Sequence, residues 1–250
     1  MKMGRLLAVG DIHGYCTKLC SLMEKVQPKQ EDKIIFLGDY IDRGPDCPGV
    51  IKYLVEFAKE YPRTVFLAGN HDHLFVSMLS KNGRLPQIES NNVKTAVQYK
   101  AISEVPPYGK DCANVFYANG GISTLTQYKS FEDIPADHVQ FFANLKLFHE
   151  EIAGGMKFFF VHAGIRPGVS RENQTVEDFL WITDWENDFN KANGFGGKTI
   201  VRGHTHHFNV PGNDPFIINV DSGVYLNPQG DFGKGVLTCC NVMTREFWQA

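Results

Sequence analysis

Five short clusters of aspartate, histidine and asparagine, each with a glycine, are the residues of this chain best suited to chemistry. Their carboxylate, imidazole and amide groups, without cysteine, favour divalent manganese, iron, zinc or a similar first-row ion over a structural thiolate zinc site. The set is too large for one tetrahedral ion, so two metal ions are the economical interpretation. The seven candidate metal ligands are Asp11, His13, Asp39, Asn70, His162, His204 and His206.

A pair of divalent ions at one site supports a particular kind of chemistry. Two such ions about 3.5–4 Å apart generate hydroxide near neutral pH and stabilise an in-line displacement at phosphorus. A carboxylate can bridge two ions, while neutral asparagine and histidine limit the negative charge, so the site stays cationic enough to bind phosphate. Glycines beside the ligands let the backbone turn tightly and approach the ions. The clusters therefore predict phosphoester chemistry.

The clusters follow the predicted strands directly. Short apolar runs typical of buried strands precede them, at residues 6–9, 34–37, 65–68, 158–161 and 199–201. After the first two runs, apolar residues recur at helical spacing, over residues 19–26 and 50–58. Asp11 and Asp39 are 28 residues apart, and Asp39 and Asn70 are 31 apart, as in strand–helix–strand units. This rhythm predicts parallel strands whose carboxyl ends meet at one edge, where open α/β sheets bind ligands.

Two parts of the chain depart from this rhythm. Residues 72 to about 155 contain helical patterns, including 139–148, and we expect a helical insertion there; its prolines are Pro86, Pro106, Pro107 and Pro135. Beyond Phe216, two strand-like runs at 216–220 and 236–242 predict a second sheet packed on the first. We therefore predict one α/β domain over residues 1–250, with two packed mixed sheets flanked by helices.

Composition narrows the class of protein. The chain has 250 residues, of which 43% are hydrophobic and 21% charged, which excludes disordered and collagen-like chains. A net charge of −3 is too small to indicate a nucleic-acid or anionic-membrane surface, so we expect neither partner. The six cysteines include no Cys-x-x-Cys pair, and neither a signal peptide nor an apolar stretch of about 18 residues is visible. These features predict a cytoplasmic protein.

Five motifs between residues 10 and 206 carry a family resemblance. They are Gly-Asp-Ile-His-Gly, Gly-Asp-Tyr-Ile-Asp-Arg-Gly, Gly-Asn-His-Asp, His-Ala-Gly and Gly-His-Thr-His. In order and spacing they resemble the calcineurin-like metallophosphoesterase superfamily, and the motif at 38–44 is similar to serine/threonine phosphoprotein phosphatases of the compact bacterial and phage type. The resemblance implies a four-layer fold and a phosphatase acting on a phosphorylated protein or a small phosphate ester.

The same resemblance implies how the candidate ligands would be divided. Asp11 and His13 would hold the first of two divalent ions, and Asp39 would bridge to the second. Manganese is the first choice for both ions, with iron, zinc, nickel or magnesium as alternatives. His206 matches a position that binds the first metal in many members of the superfamily. The remaining ligands, all assigned to the second metal, are Asn70, His162 and His204.

Three further residues take catalytic roles by the same resemblance. His71 would protonate the leaving alkoxide or phenolate, because imidazole is the side chain that ordinarily titrates near neutral pH. Asp42 would orient and stabilise that imidazole. Arg43 would clamp phosphate oxygens with its planar fork. The reaction implied is direct attack of hydroxide bound to both metals, without a covalent phosphoenzyme.

One departure from the family pattern leaves the substrate open. Phosphatases of this type often carry a second phosphate-binding arginine shortly after a tryptophan, where this chain has Thr183; Arg166 or Arg202 could replace it. A first alternative function is therefore a symmetrical bis(5'-nucleosyl)-tetraphosphatase, which cleaves a phosphoanhydride. A second is a catalytically inactive metal-binding module that recognises phosphorylated partners.

Other polar residues have a structural interpretation. Asp72 is expected to support the N-terminus of a helix rather than bind metal. His138 and His149 are expected at the surface of the insertion, and His207 is expected to be exposed or outside the ligand set. The Asp221-Ser222-Gly223 sequence resembles a turn that flanks the family's site, and we interpret it as structural.

Overall fold

Two mixed β-sheets form the centre of the fold, as the sequence predicted. The structure is a computed structural model that describes residues 4–85, 111–189, 195–207, 209–210, 212, 214–227 and 235–250. Its strands are β1 (Leu6–Val9), β2 (Lys33–Phe36), β3 (Val65–Phe66), β4 (Phe148–Ala153), β5 (Met156–Val161), β6 (Lys198–Arg202), β7 (Ile217–Asn219), β8 (Thr238–Asn241) and β9 (Phe247–Gln249). One sheet has the order β3-β2-β1-β8-β9 and the other the order β4-β5-β6-β7.

The strands that precede the polar clusters are parallel within each sheet. In the first sheet β1 pairs with β2, and β2 with β3, both parallel, whereas β8 is antiparallel to β1. The prediction that the runs at 216–220 and 236–242 share a second sheet was wrong, because the apolar pattern of a strand does not specify which sheet it joins: the first run forms β7 beside β6, and the second forms β8 in the first sheet. In the second sheet β5, β6 and β7 are parallel and β4 is an antiparallel edge strand. Parallel pairing places the carboxyl ends of β1, β2 and β3 at one edge, and those of β5 and β6 at one edge of the other sheet.

Apolar side chains fill both faces of the strands. Successive residues of a strand point to opposite faces, so Leu6 and Ala8 pack between the sheets while Leu7 and Val9 pack toward the helices. Phe158 and Phe160 lie in the same inter-sheet layer, which confirms that the phenylalanine run is a buried strand. Burial on both faces explains why these strands are continuous apolar runs in the sequence.

Helices cover the outer faces of the sheets. The two predicted amphipathic stripes are confirmed, in helix α1 (Cys16–Val26) and helix α2 (Cys47–Glu60), whose apolar residues are buried at helical spacing. The Asp46 side chain caps α2 by accepting a hydrogen bond from the Gly49 amide, at 2.8 Å. The described residues also form α3 (Asn70–Lys81), α4 (Cys112–Ala118), α5 (Gly121–Tyr128), α6 (Ala136–Ala143), α7 (Val176–Trp181) and α8 (Glu186–Phe189), and a short 3-10 helix at Arg171–Asn173.

The segment predicted as a helical insertion contains helices α4, α5 and α6, but it also supplies a strand. The expected helix over 139–148 ends at Ala143, and β4 begins at Phe148 and pairs with β5. That prediction was wrong because the apolar residues of a short helix are followed closely by those of a half-buried edge strand, so the two patterns look continuous. On this strand Glu150 forms an ion pair with Lys198 at 3.0 Å. Pro86, Pro106 and Pro107 lie outside the described residues.

Histidines of the insertion do not both lie where the sequence predicted. His138 was expected at the surface, yet it is buried, and its Nδ1 shares a 2.7 Å hydrogen bond with the Tyr128 hydroxyl. His149 is half-buried beside Glu151, at 2.9 Å. His138 is buried where α5 and α6 both pack against α2, and the tyrosine hydroxyl supplies the polar partner that a buried imidazole requires. Among the described helices, none is long and apolar enough to cross a bilayer.

Candidate metal centre

The five polar clusters meet at the carboxyl ends of β1, β2, β3, β5 and β6. Three of the candidate ligands have backbone φ in the left-handed region although they are not glycine: His13 at 46°, Asp39 at 53° and His204 at 68°. Such conformations cost about 1–3 kcal/mol each and persist only where the surrounding structure enforces them. Their concentration here indicates that the strand ends form a functional site. These backbone conformations direct the three side chains toward one another.

Asp39 lies at the centre of the site. Its Oδ2 is 3.5 Å from Nε2 of His13 and 3.5 Å from Nε2 of His162. Two groups with ligand atoms within 4.8 Å of one another therefore share this carboxylate. One group is His13, Asp39 and His71, and the other is Asp39, His162 and His204. A carboxylate between two clusters of imidazoles has the geometry required of a bridging ligand.

The second group contains facing lone pairs that a cation would satisfy. Nδ1 of His162 is 2.8 Å from the Leu37 carbonyl, so this nitrogen carries the ring proton and Nε2 presents a lone pair. That Nε2 is 3.0 Å from Oδ1 of Asn70, and the same oxygen is 3.0 Å from Nδ1 of His204. Because the imidazole lone pair and the amide oxygen are both acceptors, the donor set fits a divalent ion.

The first group has the same arrangement. Nδ1 of His13 donates to the Ile41 carbonyl at 2.9 Å, which leaves Nε2 free to bind a metal. Arginine can only donate, and Arg43 Nη1 lies 3.0 Å from this Nε2, consistent with an unprotonated nitrogen. A backbone carbonyl therefore fixes the tautomer of a histidine in each group and aims its lone pair at Asp39.

Burial sets the protonation of these ligands. It lowers the pKa of His13, His162 and His204, the last to about 3, so the imidazoles are neutral at neutral pH. Burial acts to raise the pKa of Asp39, but His162, His71 and His13 oppose it and hold that pKa well below its usual range. Neutral imidazole and ionised carboxylate are the forms that ligate metals.

Asp11 and His206 lie outside both groups. The Asp11 carboxylate accepts hydrogen bonds from the His204 amide, at 3.1 and 3.3 Å. Burial raises its pKa, and the nearby Asp221 and Asp39 raise it further. A cation would offset this concentration of buried carboxylates, so the observation also favours bound metal. His206 lies beside Tyr225, with ring centroids 6.2 Å apart.

The three predicted catalytic residues are adjacent to the first group. Nδ1 of His71 is 2.7 Å from Oδ2 of Asp42, and both side chains are buried. Nη2 of Arg43 lies 3.0 Å from Nε2 of His71. The proton of His71 therefore resides on Nδ1, toward Asp42, and Nε2 faces the metal ligands. Like those ligands, Asp42 and Arg43 have left-handed φ values, 70° and 69°.

Tyr225 is a residue of the site that sequence reasoning missed. Its ring lies under the Arg43 guanidinium, 4.1 Å from the centroid, and meets the His13 ring edge-on at 5.1 Å. A cation over an aromatic face is stabilised by the ring quadrupole, so Tyr225 helps hold Arg43 over the site. The only local signal is its position two residues after Gly223, in the turn that we interpreted as structural.

Neither candidate replacement for the second arginine is free to bind phosphate. Arg166 donates to the Asp178 carboxylate at 2.9 Å and to the Asn173 carbonyl at 2.9 Å. Arg202 is buried, pairs with Glu186 and donates to the Gly203 carbonyl at 2.8 Å. Thr183 is exposed, and His207 is exposed as expected. Among these three arginines, Arg43 is the one directed at the site, through its contacts with His13 and His71 of the first group.

Asp72 supports more than a helix start. It accepts hydrogen bonds from the backbone amides of Asp39, at 2.7 Å, Tyr40, at 3.1 Å, and Gly69, at 2.8 Å. The carboxylate thus joins the turn after β2 to the turn after β3, directly behind Asp39. The predicted structural role is confirmed and is extended to the turn that carries Asp39.

We expect Asp72→Ala to lower the free energy of unfolding by about 3 kcal/mol or more, because it leaves three buried N–H groups without an acceptor. Urea unfolding followed by circular dichroism measures this change. The matched control is Asp133→Ala, whose carboxylate accepts an exposed hydrogen bond from Ser130, at 3.0 Å; its loss is expected below about 1 kcal/mol. Equal losses in the two variants would contradict the assignment.

This fold and this donor set are those of a dinuclear metallohydrolase. The model of the calcineurin-like phosphoesterase family matches residues 4–208, and the chain belongs to that family. Members of the family normally bind two divalent metal ions, and the two groups that share Asp39 supply candidate ligands for them. The resemblance seen in the motifs is confirmed.

Solved structures share the fold at low sequence identity. A "putative diadenosine tetraphosphatase" is 20% identical with a TM-score of 0.62, covering 100% of this chain and 94% of that one. A serine/threonine phosphatase from Saccharomyces cerevisiae is 14% identical with a TM-score of 0.56, covering 96% and 73%. A cold-active protein-tyrosine phosphatase from a psychrophilic Shewanella is 16% identical with a TM-score of 0.55, covering 99% and 77%. At these sequence identities, the similarity to the three structures shows a shared fold.

Proposed function

We propose that this protein is a metal-dependent phosphatase that hydrolyses phosphate monoesters, of the serine/threonine phosphoprotein phosphatase type, with manganese as its preferred ion. Its substrate would be a phosphorylated protein or a small phosphate ester. One observation carries the proposal: Asp39 joins two groups of ligands, and Arg43 and the His71–Asp42 pair lie beside them. These are the parts needed to bind, activate and cleave a phosphoester.

The ligands would be shared between two ions. The family motif assigns Asp11, His13 and His206 to the first ion and Asp39 to both; Asn70, His162 and His204 complete the second. Two divalent ions bound there would polarise the phosphoryl oxygens and supply a water-derived nucleophile near neutral pH. The chain's own contribution is to hold the substrate and to manage the proton of the leaving group.

Arg43 is suited to bind the phosphoryl group. Its Nη1 and Nη2 each lie 3.0 Å from an imidazole nitrogen at the inner side of the site. The planar fork presents two parallel donors, which match two phosphate oxygens. The Tyr225 ring fixes the guanidinium plane from below. With a metal on Nε2 of His13 and a proton on Nε2 of His71, neither nitrogen would accept from Arg43, so both donors would be available to the phosphate.

His71 is suited to deliver a proton to the leaving group. Its Nδ1 proton is engaged by Asp42, so a second proton would be carried on Nε2, the nitrogen that faces the ligands. Donation from Nε2 would neutralise the developing alkoxide, and the buried Asp42 carboxylate would stabilise the imidazolium that precedes it. This step makes hydrolysis of esters with poor leaving groups feasible.

A second candidate reaction is cleavage of a phosphoanhydride, such as that of a dinucleoside tetraphosphate. One observation favours it: Thr183 stands where a second phosphate-binding arginine is expected, while Arg166 and Arg202 are engaged in ion pairs. One arginine binds a dianionic monoester less tightly than two arginines would. An anhydride also has a leaving group that needs little protonation, so it depends less on His71.

Turnover of three substrates tests the proposal. In added manganese, between about pH 6 and 9, we expect metal-dependent hydrolysis of p-nitrophenyl phosphate and a phosphoserine peptide. We also expect kcat/KM for the peptide to exceed that for diadenosine tetraphosphate. A preference for the anhydride of about tenfold or more, which is about 1.4 kcal/mol in transition-state binding, would reverse the assignment.

Controls separate the remaining possibilities. Protein treated with a chelator is expected to lose turnover and to regain it when manganese is added, and magnesium in its place is expected to restore less. Metal analysis of the purified protein reports which ion it carries. Phosphopeptide binding with no metal-dependent turnover of any substrate would contradict the phosphatase proposal and favour a recognition module.

A further inference from the structure

One helix of the insertion holds the segment that carries Asp42 and Arg43. Helix α5 accepts two amide protons of that segment: Arg43 donates to the Ser123 hydroxyl at 3.1 Å, and Asp42 donates to the Thr124 hydroxyl at 3.0 Å. Gln127 of the same helix donates to the Gly44 carbonyl at 3.0 Å. About 80 residues of chain separate the two segments, so the insertion contributes to the shape of the catalytic turn.

Thr124 contacts Asp42 twice. Its hydroxyl accepts from the Asp42 amide and donates to Oδ1 of the Asp42 carboxylate. The other carboxylate oxygen, Oδ2, binds Nδ1 of His71. Both Thr124 and Asp42 are 0% exposed, so water does not substitute for either contact. The hydroxyl therefore fixes which oxygen of Asp42 faces the imidazole.

The backbone of Asp42 makes this support necessary. With φ at 70°, Asp42 occupies a conformation that residues other than glycine rarely adopt, and surrounding contacts must hold it. The hydroxyl holds backbone and carboxylate at once, which restricts both the turn and the side-chain torsions. A catalytic pair needs its supporting contacts fixed to within a fraction of an ångström to keep a productive geometry.

We propose that Thr124 is a positioning residue for the His71–Asp42 pair, and that it acts on proton delivery to the leaving group. The inference rests on the proposed function, since it concerns the protonation step of phosphomonoester hydrolysis. Thr124 is buried and contacts Asp42 and Cys47, and among the described residues it makes no hydrogen bond to a candidate metal ligand. Its effect must therefore depend on how much the reaction needs a proton from His71.

The leaving group supplies the diagnostic measurement. p-Nitrophenolate departs without a proton at neutral pH, whereas the serine alkoxide of a phosphopeptide requires one. We expect Thr124→Val to lower kcat for a phosphoserine peptide by about tenfold or more, and kcat for p-nitrophenyl phosphate by less than about threefold. KM and bound manganese are expected to stay near the wild-type values. Thr124→Ser, which keeps the hydroxyl, is expected to restore kcat for the peptide to within about threefold.

A matched control lies two residues away on the same helix. Thr126→Val removes an exposed hydroxyl that donates to the Ile122 carbonyl of its own helix, and it is expected to behave as wild type on both substrates. Equal losses on both substrates in Thr124→Val, loss of metal, or failure of Thr124→Ser to recover would overturn the inference, because each indicates a general structural role.

A spectroscopic signature separates this inference from the proposed function. The His71 Nδ1 proton, bound to Asp42, is expected to give a downfield proton resonance that is absent in His71→Asn. We expect Thr124→Val to shift or broaden that resonance and Thr126→Val to leave it unchanged. A wild-type protein that turns over neither substrate would refute the proposed function alone; an unchanged resonance in Thr124→Val would refute the positioning role.

Discussion

Replacing Asp39 with asparagine is expected to abolish metal binding and turnover together. Asp39 Oδ2 lies 3.5 Å from Nε2 of His13 and from Nε2 of His162, so its carboxylate belongs to both groups of candidate ligands. Asparagine offers one neutral oxygen in place of two that share a negative charge, and a neutral amide does not bridge two cations effectively. We expect kcat to fall by about three orders of magnitude or more, since under the proposed function the ions held by these residues would supply the nucleophile.

Elemental analysis and calorimetric titration with manganese measure the first part of this prediction, and steady-state kinetics measures the second. Asp32→Asn is the matched control, because Asp32 is also a buried carboxylate but pairs with Arg5, away from the site. That variant is expected to keep both metals even if it is less stable. Two equivalents of tightly bound manganese in Asp39→Asn would contradict the bridging role.

Replacing His71 with asparagine is expected to leave the metals bound and to lower kcat by about 10²–10⁴-fold, the range that general acid–base groups contribute. The loss is expected to be larger for a phosphoserine peptide than for p-nitrophenyl phosphate. The metal content of this variant is informative because His71 lies within one of the two groups of potential ligands. Its Nε2 is 4.0 Å from Oδ2 of Asp39, farther than that of His13, and its Nδ1 is held by Asp42.

The metal content of His71→Asn decides between the two roles that the geometry allows. Retention of both ions with a large loss of kcat supports proton transfer by His71. Metal loss equal to that in Asp39→Asn would make His71 a ligand and would overturn the assigned roles. Asp42→Asn is the companion variant: it should keep the metals and lose less activity than His71→Asn, because it disturbs the imidazole without removing it.

The positions of the site residues could be predicted from sequence because local rules govern them. Apolar runs of four residues predict buried parallel strands, and the polar residue that follows each run must emerge at the carboxyl edge. Asp11, Asp39 and Asn70 follow this rule in the first sheet, and His162 and His204 follow it in the second. The glycine-rich turns between strand and ligand strengthened the prediction.

Contacts between distant segments could not be predicted in this way. Thr124 reaches Asp42 across 82 residues, and Tyr225 reaches Arg43 from a turn with no motif of its own. The burial of His138 depends on how helices α5 and α6 pack against α2, which no periodicity within one helix reveals. Strand β4 was missed because an edge strand with one exposed face shows only weak apolar alternation.

The origin of the ligands in two different sheets has a mechanical consequence. Asn70 follows a strand of the first sheet, whereas its partners His162 and His204 follow strands of the second. An ion held among these three residues would cross-link the two sheets at the end of the sandwich where their strands carry the ligands. Loss of the bound ion would therefore make the pairing of the two sheets less rigid. The concentration of free metal would then determine how well the protein resists thermal unfolding and proteolysis.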